Sequence, residues 1–397
     1  MNTPEGKKLK SESKMEAETS SGSPGQDSKG FGVWVKRDDS GKVISKGVFR
    51  DGVGVRTDWY PDGTKKQEGH FKGMIQHGMF TMWWPNGMKK REGRFHEGAL
   101  SGKWTWWDEE GRKKGNGEFK NDKQHGIWVN YYANGKKRYA VAFTEGKLHG
   151  EWIRWNKLGI KIGSGLFQNG RKYGKWVVWN RKGGKIAEIE FQNGFKHGKS
   201  TRWDQNGRKL QEGEFKFGKK SGIWKTWNEQ GIKIEECEYR ANQQTGKIVK
   251  WDDTGVKLYD GHLVGGVRDG RWIDFDENGI KINEGQYRDG QKNGHWVHRD
   301  KKGRLVTEGR YRDDKKNGMW VRYDEYGGRK IEGEFKDDVP EGRWTRWDEN
   351  GKKRSESMYV DGKKDGTSVE WNEDGFMVKN EVYREGKLVK ILGLTQS

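Results

Sequence analysis

The chain has 397 residues, of which 35% are charged and 30% hydrophobic, and its formal net charge is +20. This composition alone favours disorder, but 22 Trp at recurrent spacings argue for an ordered aromatic core. A single cysteine excludes an internal disulfide framework, and no apolar run approaches the roughly 18 to 20 residues of a membrane-spanning helix. Because the apolar segment of a secretory signal is also missing, we expect a cytoplasmic protein.

Residues 1–31 are predicted to form a disordered tail, because residues 1–30 contain no aromatic side chain and balance five Lys against five acidic residues. From residue 32 to about 390, a glycine opens a new unit every 24 residues, except that the first spacing is 22. Residues 391–397 are predicted to form a C-terminal tail. A fixed period of this size predicts one elongated repeat array of 15 units, each contacting mainly its neighbours. We number the opening glycine position 0 of each unit; these are Gly32, Gly54, Gly78, Gly102, Gly126, Gly150, Gly174, Gly198, Gly222, Gly246, Gly270, Gly294, Gly318, Gly342 and Gly366.

Each unit is predicted to form one β-hairpin. Positions 1–6 usually carry a β-branched residue at position 3 and form strand A, whereas positions 10–18 form strand B. Position 9 is Gly in all 15 units and often follows Asn, a pair that favours a tight turn. A loop such as residues 289–293 then leads into the next unit. The predicted fold class is therefore all-β, with antiparallel hairpins forming one long twisted sheet or a β-solenoid.

Aromatic residues define the predicted core. Ten Trp occupy position 2, ten occupy position 5, and Phe or Tyr occupies position 17 in 14 units. If positions 8 and 9 are the centre of the turn, position 2 faces position 15, which is Gly in ten units, and position 17 faces position 0. Trp104 would then cover Gly117, and Phe119 would cover Gly102. The predicted structural aromatics are Trp104, Trp128, Trp152, Trp176, Trp224, Trp272, Trp296, Trp320, Trp344, Phe119, Phe143 and Phe215.

The same register places position 6 opposite position 11, which predicts six cross-strand pairs of opposite charge. Lys233 faces the neutral Asn228 in this register, so it is predicted to be a freer cation than Lys209. The six pairs are Asp108 with Lys113, Asp204 with Lys209, Asp252 with Lys257, Asp276 with Lys281, Asp324 with Arg329, and Asp348 with Lys353.

The segment 116–126, which reads Asn-Gly-Glu-Phe-Lys-Asn-Asp-Lys-Gln-His-Gly, resembles the MORN repeat, whose pattern is Tyr-Glu-Gly-Glu-Trp-x-Asn-Gly-Lys-x-His-Gly. Segments 143–150 and 191–198 follow the same sequence pattern. The opening Tyr is absent, and the added Gly-x-Trp-x-x-Trp half looks more like the variant MORN repeats common in bacterial proteins, some of which are labelled antitoxin components. The resemblance implies a β-hairpin array for scaffolding, dimerisation, cytoskeletal or ciliary attachment, and in some members contact with acidic lipid.

Position 11 is Lys in 11 units, and adjacent copies would lie about 9.6 Å apart, two strands per step. This row is either a polyanion-binding surface, for anionic lipid, acidic protein segments or nucleic acid, or a device that keeps the sheet soluble by pairing with Asp at position 6 and Glu at position 14. Nucleic acid is disfavoured because the Trp already cover Gly. The residues are Lys65, Lys89, Lys113, Lys137, Lys161, Lys185, Lys209, Lys233, Lys257, Lys281 and Lys353.

No catalytic, metal or cofactor site is predicted. Cys237 occupies position 15, which takes small residues, and lacks an activating base. His295 and His298 lie three residues apart on a strand, hence on opposite faces, and cannot share a metal. The predicted function is a non-enzymatic scaffold for protein partners or for self-association. Peripheral attachment to anionic membrane, with a cortical or ciliary location, and an antitoxin role are the alternatives.

Overall fold

The computed structural model describes residues 31–393, which form 31 β-strands joined by turns. Within each of the two units described below, consecutive strands pair antiparallel, as in β7 with β8 and β8 with β9. Within that range no helix is present that could cross a membrane. The prediction of an all-β chain of antiparallel hairpins is confirmed.

The strands of the first part of the chain are β1 Phe31–Arg37, β2 Val43–Arg50, β3 Val53–Trp59, β4 Lys65–Lys72, β5 Ile75–Trp83, β6 Lys89–His96, β7 Ala99–Trp107, β8 Lys113–Lys120, β9 Lys123–Tyr131 and β10 Lys137–Thr144. The next are β11 Lys147–Trp155, β12 Lys161–Gln168, β13 Arg171–Trp179, β14 Lys185–Gln192, β15 Phe195–Trp203, β16 Lys209–Lys216, β17 Lys219–Trp227, β18 Lys233–Arg240, β19 Gln243–Trp251 and β20 Lys257–Val264. The remaining strands are β21 Val267–Phe275, β22 Lys281–Arg288, β23 Gln291–Arg299, β24 Leu305–Arg312, β25 Lys315–Tyr323, β26 Arg329–Lys336, β27 Val339–Trp347, β28 Lys353–Val360, β29 Lys363–Trp371, β30 Met377–Arg384 and β31 Lys387–Ile391.

The described residues form two compact units, each of which contains several repeats. Below, the terms first unit and second unit always mean these two. The first comprises residues 31–136 and 143–147, and the second comprises residues 137–142 and 148–393. The predicted tails, 1–31 and 391–397, lie outside the described residues apart from Phe31, which begins β1, and residues 391–393, of which Ile391 ends β31.

The two connections of each repeat have exchanged lengths relative to the prediction, because the tight turn follows strand B and the longer turn follows strand A. Strand B connects to the next strand A through a two-residue turn, as at Asp289 and Gly290, whose φ angles of 50° and 83° are the positive pair that a type I′ hairpin needs. Gln291 already belongs to β23, so the predicted loop 289–293 is wrong. Strand A therefore begins three residues before position 0, and the Asp-Gly dipeptide that marks this turn is the signal that the sequence offered.

The connection from strand A to strand B spans five residues. In the turn at residues 108–112, Asp108 N–H donates to the Arg112 carbonyl at 2.9 Å, Gly111 N–H donates to the Asp108 carbonyl at 3.1 Å, and Gly111 has φ of 78°. A bulge follows, because Trp106 pairs with Gly115 whereas Trp107 pairs with Lys113. The predicted register therefore holds for positions 0–4 and fails from position 5 onward.

The failed part of the register removes the six predicted ion pairs across position 6. Asp252 instead accepts hydrogen bonds within its own turn, from Thr254 N–H and Val256 N–H, both at 2.9 Å. A short polar side chain that bonds the backbone two residues ahead is a standard way to fix a turn. The predicted pairs are wrong for the same reason at Asp108, Asp204, Asp252, Asp276, Asp324 and Asp348.

From Gly78 onward, position 0 is Gly because of backbone conformation. Arg94 pairs with Ser101 and Glu92 pairs with Thr105, so strand A carries two extra residues at this point. Gly102 lies inside this bulge with φ of 65°, and nothing would contact a Cβ there. Phe119 pairs with Gly102 but does not lie over it, so the prediction that it covers this glycine is wrong.

Position 15 is Gly because of space. The indole of Trp128, from the next unit, lies directly over Gly117, and the indole of Trp104 lies over Gly93. Trp104 pairs with Gly117 but covers the glycine of the unit before it, which corrects the prediction. Each such Trp therefore joins two consecutive units. The indole N–H is satisfied by a carbonyl at position 16 of the preceding unit, at 3.0–3.2 Å, for Trp104, Trp128, Trp176, Trp224, Trp296 and Trp320.

Most departures from Trp at position 2 are matched by a change at position 15 of the preceding unit. Where Ile248 replaces Trp, its partner is Cys237 in place of Gly, and Cys237 is fully buried. Ser200 pairs with Ile189, so the small and large residues have exchanged places. The buried Ser357 and Ser368 share a hydrogen bond of 2.8 Å. The two positions together fill one packing volume.

Candidate functional site

The predicted lysine row at position 11 lies on one face of the strands, beside carboxylates at position 14. Lys209 Nζ lies 2.7 Å from Glu212, and Lys233 Nζ lies 2.8 Å from Glu236. Lys233 is therefore no freer than Lys209, contrary to the prediction. Such pairs form for Lys65, Lys89, Lys185, Lys209, Lys233, Lys257, Lys281 and Lys353.

The same lysines also lie over aromatic rings of position 5 in the next unit. Lys233 Nζ is 4.3 Å from the Trp251 ring centre, and Lys161 Nζ is 4.9 Å from that of Trp179. Lys113 and Lys137, which have no acidic residue at position 14, lie over Tyr131 and Trp155 in the same way. We call positions 1, 3, 5, 11, 14 and 16 the charge-paired face.

Carboxylates on the charge-paired face often serve two cations. Glu188 accepts Lys175 Nζ at 2.9 Å and Lys185 Nζ at 3.0 Å, and these hydrogen bonds, that of Lys175 first, hold the pKa of Glu188 below its ordinary value. The pKa of Glu284 is lowered in the same way, chiefly by Arg271 and then by Lys281. This face therefore balances most of its own charge.

The opposite face carries the predicted structural aromatics. In the second unit, Trp224 is 3% exposed and Trp272 is 2% exposed. From Trp272 to Tyr359, rings at positions 2 and 17 alternate edge to face, with centres 4.9–6.4 Å apart, a favourable arrangement. Trp152 differs, because it stacks on Trp176 with ring planes 27° apart. In the first unit, Phe119 and Phe143 flank Trp128.

A row of cations that the sequence reasoning missed lies on this aromatic face at position 22. Lys292 Nζ is 4.7 Å from the Trp296 ring centre and 5.1 Å from that of Tyr311. Lys316 lies in the same way over Trp320 and Phe335, at 4.8 and 4.9 Å. The row in the second unit is Lys172, Lys196, Lys220, Arg268, Lys292, Lys316 and Lys364. Its members recur at 24 residues, or at 48 where Gln244 and Pro340 interrupt the row, and they fall within the segment that the sequence predicts to be a loop.

Position 4 adds a second set of cations to the same face. Arg322 and Arg346 are exposed there, next to Trp320 and Trp344 in the alternation of the strands. Arg154, Arg202 and Lys250 occupy the equivalent place in other repeats. We call positions 2, 4, 13, 15, 17 and 22 of the second unit the basic face.

Most cations of the basic face lack carboxylate partners, although Lys379 pairs with Glu370 at 3.0 Å. Among residues 31–393, no ion pair within 4.0 Å involves Lys172, Lys292, Lys316, Arg322 or Arg346. Between residues 287 and 359 this face contains no acidic side chain at all, and elsewhere it carries Glu235, Asp274, Glu370 and Glu381. The excess positive charge of the second unit is therefore concentrated on this face.

Two aspartates in the turns beside the basic face bind its backbone. Asp314 and Asp338 direct an oxygen to the backbone N–H groups of Lys292 and Lys316, at 2.7 and 2.8 Å, and not to their ammonium groups. Farther along the row, burial lowers the pKa of Lys172, and the neighbouring charge of Lys196 adds to this effect. These cations are therefore held in place by the rings and not by carboxylates.

Three side chains bear on catalysis and metal binding, namely Cys237, His295 and His298. Cys237 is buried, and burial, followed by nearby glutamates, raises the pKa of its thiol to about 12. His295 lies by Glu308 and His298 by Asn283, on opposite faces as predicted. No cluster of three metal-ligating side chains occurs in residues 31–393.

A groove of about 730 Å³ runs along the five-residue turns of the second unit. Its charges pair with one another, as Arg304 does with Asp300 and Arg354 with Asp348. Tyr323 donates to Glu308 at 2.6 Å, and burial, reinforced by this carboxylate, raises the pKa of Tyr323 to about 12. The tyrosine therefore stays protonated at neutral pH and cannot act as a base.

The comparison with protein families bears on the repeat itself. The family description "MORN repeat variant" matches residues 53–72, 124–143 and 340–361. The chain carries MORN repeats of the variant type. The first and last of these MORN segments coincide with the hairpins β3–β4 and β27–β28.

Comparison with whole proteins adds little. No curated protein matches this chain. Among solved structures, a crystal structure titled TcdB2-TccC3-TEV is 10% identical with a TM-score of 0.16 over 89% of this chain and 21% of that chain. A Tc holotoxin pore of Photorhabdus luminescens is 8% identical with a TM-score of 0.16 over 91% and 27%. This chain spans about a quarter or less of those chains, and such TM-scores carry no argument about it.

Proposed function

We propose that this chain is a non-enzymatic interaction scaffold, and that its binding surface is the basic face of the second unit. The observation that carries the proposal is the row of cations at position 22, which runs from Lys172 to Lys364 with interruptions at Gln244 and Pro340 and forms no ion pair within the described residues. A charged surface that the protein does not neutralise itself attracts ligands of opposite charge. The MORN repeats support a scaffold or interaction role in general.

The position 11 lysine row is a weaker candidate for polyanion binding. Each position 11 lysine is held by a carboxylate at position 14, by an aromatic ring, or by both, as Lys209 is by Glu212 and Trp227. A ligand would have to displace these contacts, which are individually weak but repeated. The charge-paired face therefore serves solubility and the packing of the strands.

The basic face can be tested with variants that use residues the repeat already tolerates. Position 22 is Gln in other units, such as Gln124 and Gln244, and position 4 is Asn at Asn130. The basic-face variant is Lys292→Gln, Lys316→Gln, Arg322→Asn and Arg346→Asn. The matched control removes four exposed cations of the same region that lie off this face: Lys302→Asn, Arg310→Gln, Lys315→Gln and Lys336→Gln.

Proximity labelling with the full chain in its source cells would compare these two variants with the natural protein. We expect a set of labelled proteins that is retained by the control variant and lost by the basic-face variant. If both variants label the same proteins as the natural chain, the basic face is not the scaffold's binding surface.

A further inference from the structure

We infer that the partner docks on the basic face through an acidic, extended peptide segment that crosses the strands and presents a carboxylate at every third residue. This inference rests on the proposed function, because it names the ligand of the same surface. It follows from three observations. These are the spacing of the cations, the covering of the ring surfaces by other groups, and the lack of exposed apolar side chains on the face.

The spacing sets the periodicity of the ligand. Arg268, Lys292 and Lys316 occupy the same position in consecutive units, each two strands from the next. Two strands span about 9.6 Å. A polyproline II segment rises about 3.1 Å per residue with three residues per turn, so every third side chain points the same way about 9.3 Å further on. One carboxylate per turn would thus meet one cation per unit.

The cations are pre-positioned for such a ligand. The ammonium group of Lys292 lies over two rings, Trp296 and Tyr311, and has no anion beside it. Ordering a free lysine side chain on binding is costly, and here the rings have already restricted it. Arg322 and Arg346, exposed at position 4, offer a second contact beside Trp320 and Trp344.

The rings disfavour single-stranded nucleic acid. Base stacking needs an open aromatic face. Trp296 covers Gly285 with one side, meets the edge of Tyr287 at 5.1 Å, and carries Lys292 above it. Trp320 likewise covers Gly309, meets the edge of Tyr311 and lies beneath Lys316.

The apolar side chains disfavour a membrane surface. Between residues 287 and 359 the exposed large apolar side chains are Met319, Tyr326 and Val339, at positions 1, 8 and 21, which lie off the basic face. Stable attachment of a protein to lipid combines basic charge with buried apolar groups. The face supplies only the first of these.

The experiment measures binding of two fluorescent 18-residue peptides to the purified full-length chain by anisotropy. The peptide (Glu-Pro-Pro)6 places a carboxylate at every third residue, and (Glu-Pro)9 carries more charge at every second residue. We expect (Glu-Pro-Pro)6 to bind more tightly despite its lower charge. The basic-face variant should lose about tenfold in affinity, since a few exposed ion pairs are removed together, whereas the control variant should change by less than about twofold.

Two results would overturn the inference. One is an order of affinity that follows total charge, and the other is unchanged peptide binding by the basic-face variant. Phosphatidylserine vesicles and a single-stranded oligonucleotide run in parallel; if either binds through this face while the peptides do not, the ligand is not an acidic segment. If proximity labelling still depends on the basic face in that case, the scaffold proposal stands although the peptide inference fails.

Discussion

Substituting Gly213 by Ala should disrupt the contact between two consecutive repeats. A Cβ at this position would lie 2.3 Å from Cδ2 of Trp224, whereas ordinary contacts lie at 3.4–4 Å, so the ring would have to move by about 1 Å. Trp224 is only 3% exposed, and its N–H donates to the Glu214 carbonyl at 3.1 Å, a bond that the movement would weaken. Overpacking costs about 1–3 kcal/mol and a lost hydrogen bond about 0.5–1.5 kcal/mol. We expect a local destabilisation of about 2 to 4 kcal/mol.

The natural pair of Cys237 and Ile248 provides the compensating change. Combining Gly213→Ala with Trp224→Ile imitates that pair, so the double variant should lose about 1–3 kcal/mol less than the sum of the two single changes. Hydrogen exchange of strands β16 to β18 would report the loss unit by unit, because repeat arrays do not always unfold in one step. Gly32→Ala, at a site where nothing contacts a Cβ and φ is not positive, is the control and should change stability little. Additive single and double variants would refute coupling between these positions.

Three further predictions concern other contacts. Asp252→Asn should leave thermal stability nearly unchanged, because an amide oxygen can still accept the turn hydrogen bonds. Asp252→Ala should lower thermal stability. Equal losses for the two variants would instead favour the ion pair between Asp252 and Lys257. The Cys237 thiol, with its pKa raised to about 12 by burial, should react with a thiol reagent at pH 8 only after unfolding, and rapid labelling of the native chain would contradict its packing. Lys209→Glu and Lys233→Glu should each cost a similar amount, about 0.2–1 kcal/mol in denaturant melts, and a clear difference would support the original register.

The fold was largely predictable because its determinants are local and repeated. Gly at a fixed period, Trp at position 2 and a hairpin dipeptide indicated antiparallel hairpins, and the pairing of positions 0–4 with 13–17 followed correctly. The turns were misplaced because Asn-Gly or Asp-Gly occurs at both ends of the hairpin, as at Asn206-Gly207 and Asp289-Gly290. Only backbone geometry separates a capped five-residue turn from a two-residue type I′ turn.

The candidate site was less predictable, for a physical reason. The sequence does not show whether a carboxylate lies beside a given lysine. For the lysines at position 11, the bulge after position 4 determines this. It brings positions 11 and 14 onto one face, so that Lys209 meets Glu212. A second bulge, at position 0, turns the two-residue hairpin and the following strand so that position 22 lies against the rings.

The two bulges together explain why a chain so rich in both charges keeps one surface basic. Glutamate recurs at positions 14 and 16, both on the charge-paired face, so lysine and arginine there are matched in many repeats, as with Lys185 and Glu188. Positions 4 and 22 are directed to the other face, where the acidic residues of the second unit are few, namely Glu235, Asp274, Glu370 and Glu381. A cation added at either position therefore adds to the net field of that face. The first unit has Gln76, Leu100 and Gln124 at position 22, so the field belongs to the second unit, and a ligand that follows charge should distinguish the two units even though both carry the same repeat.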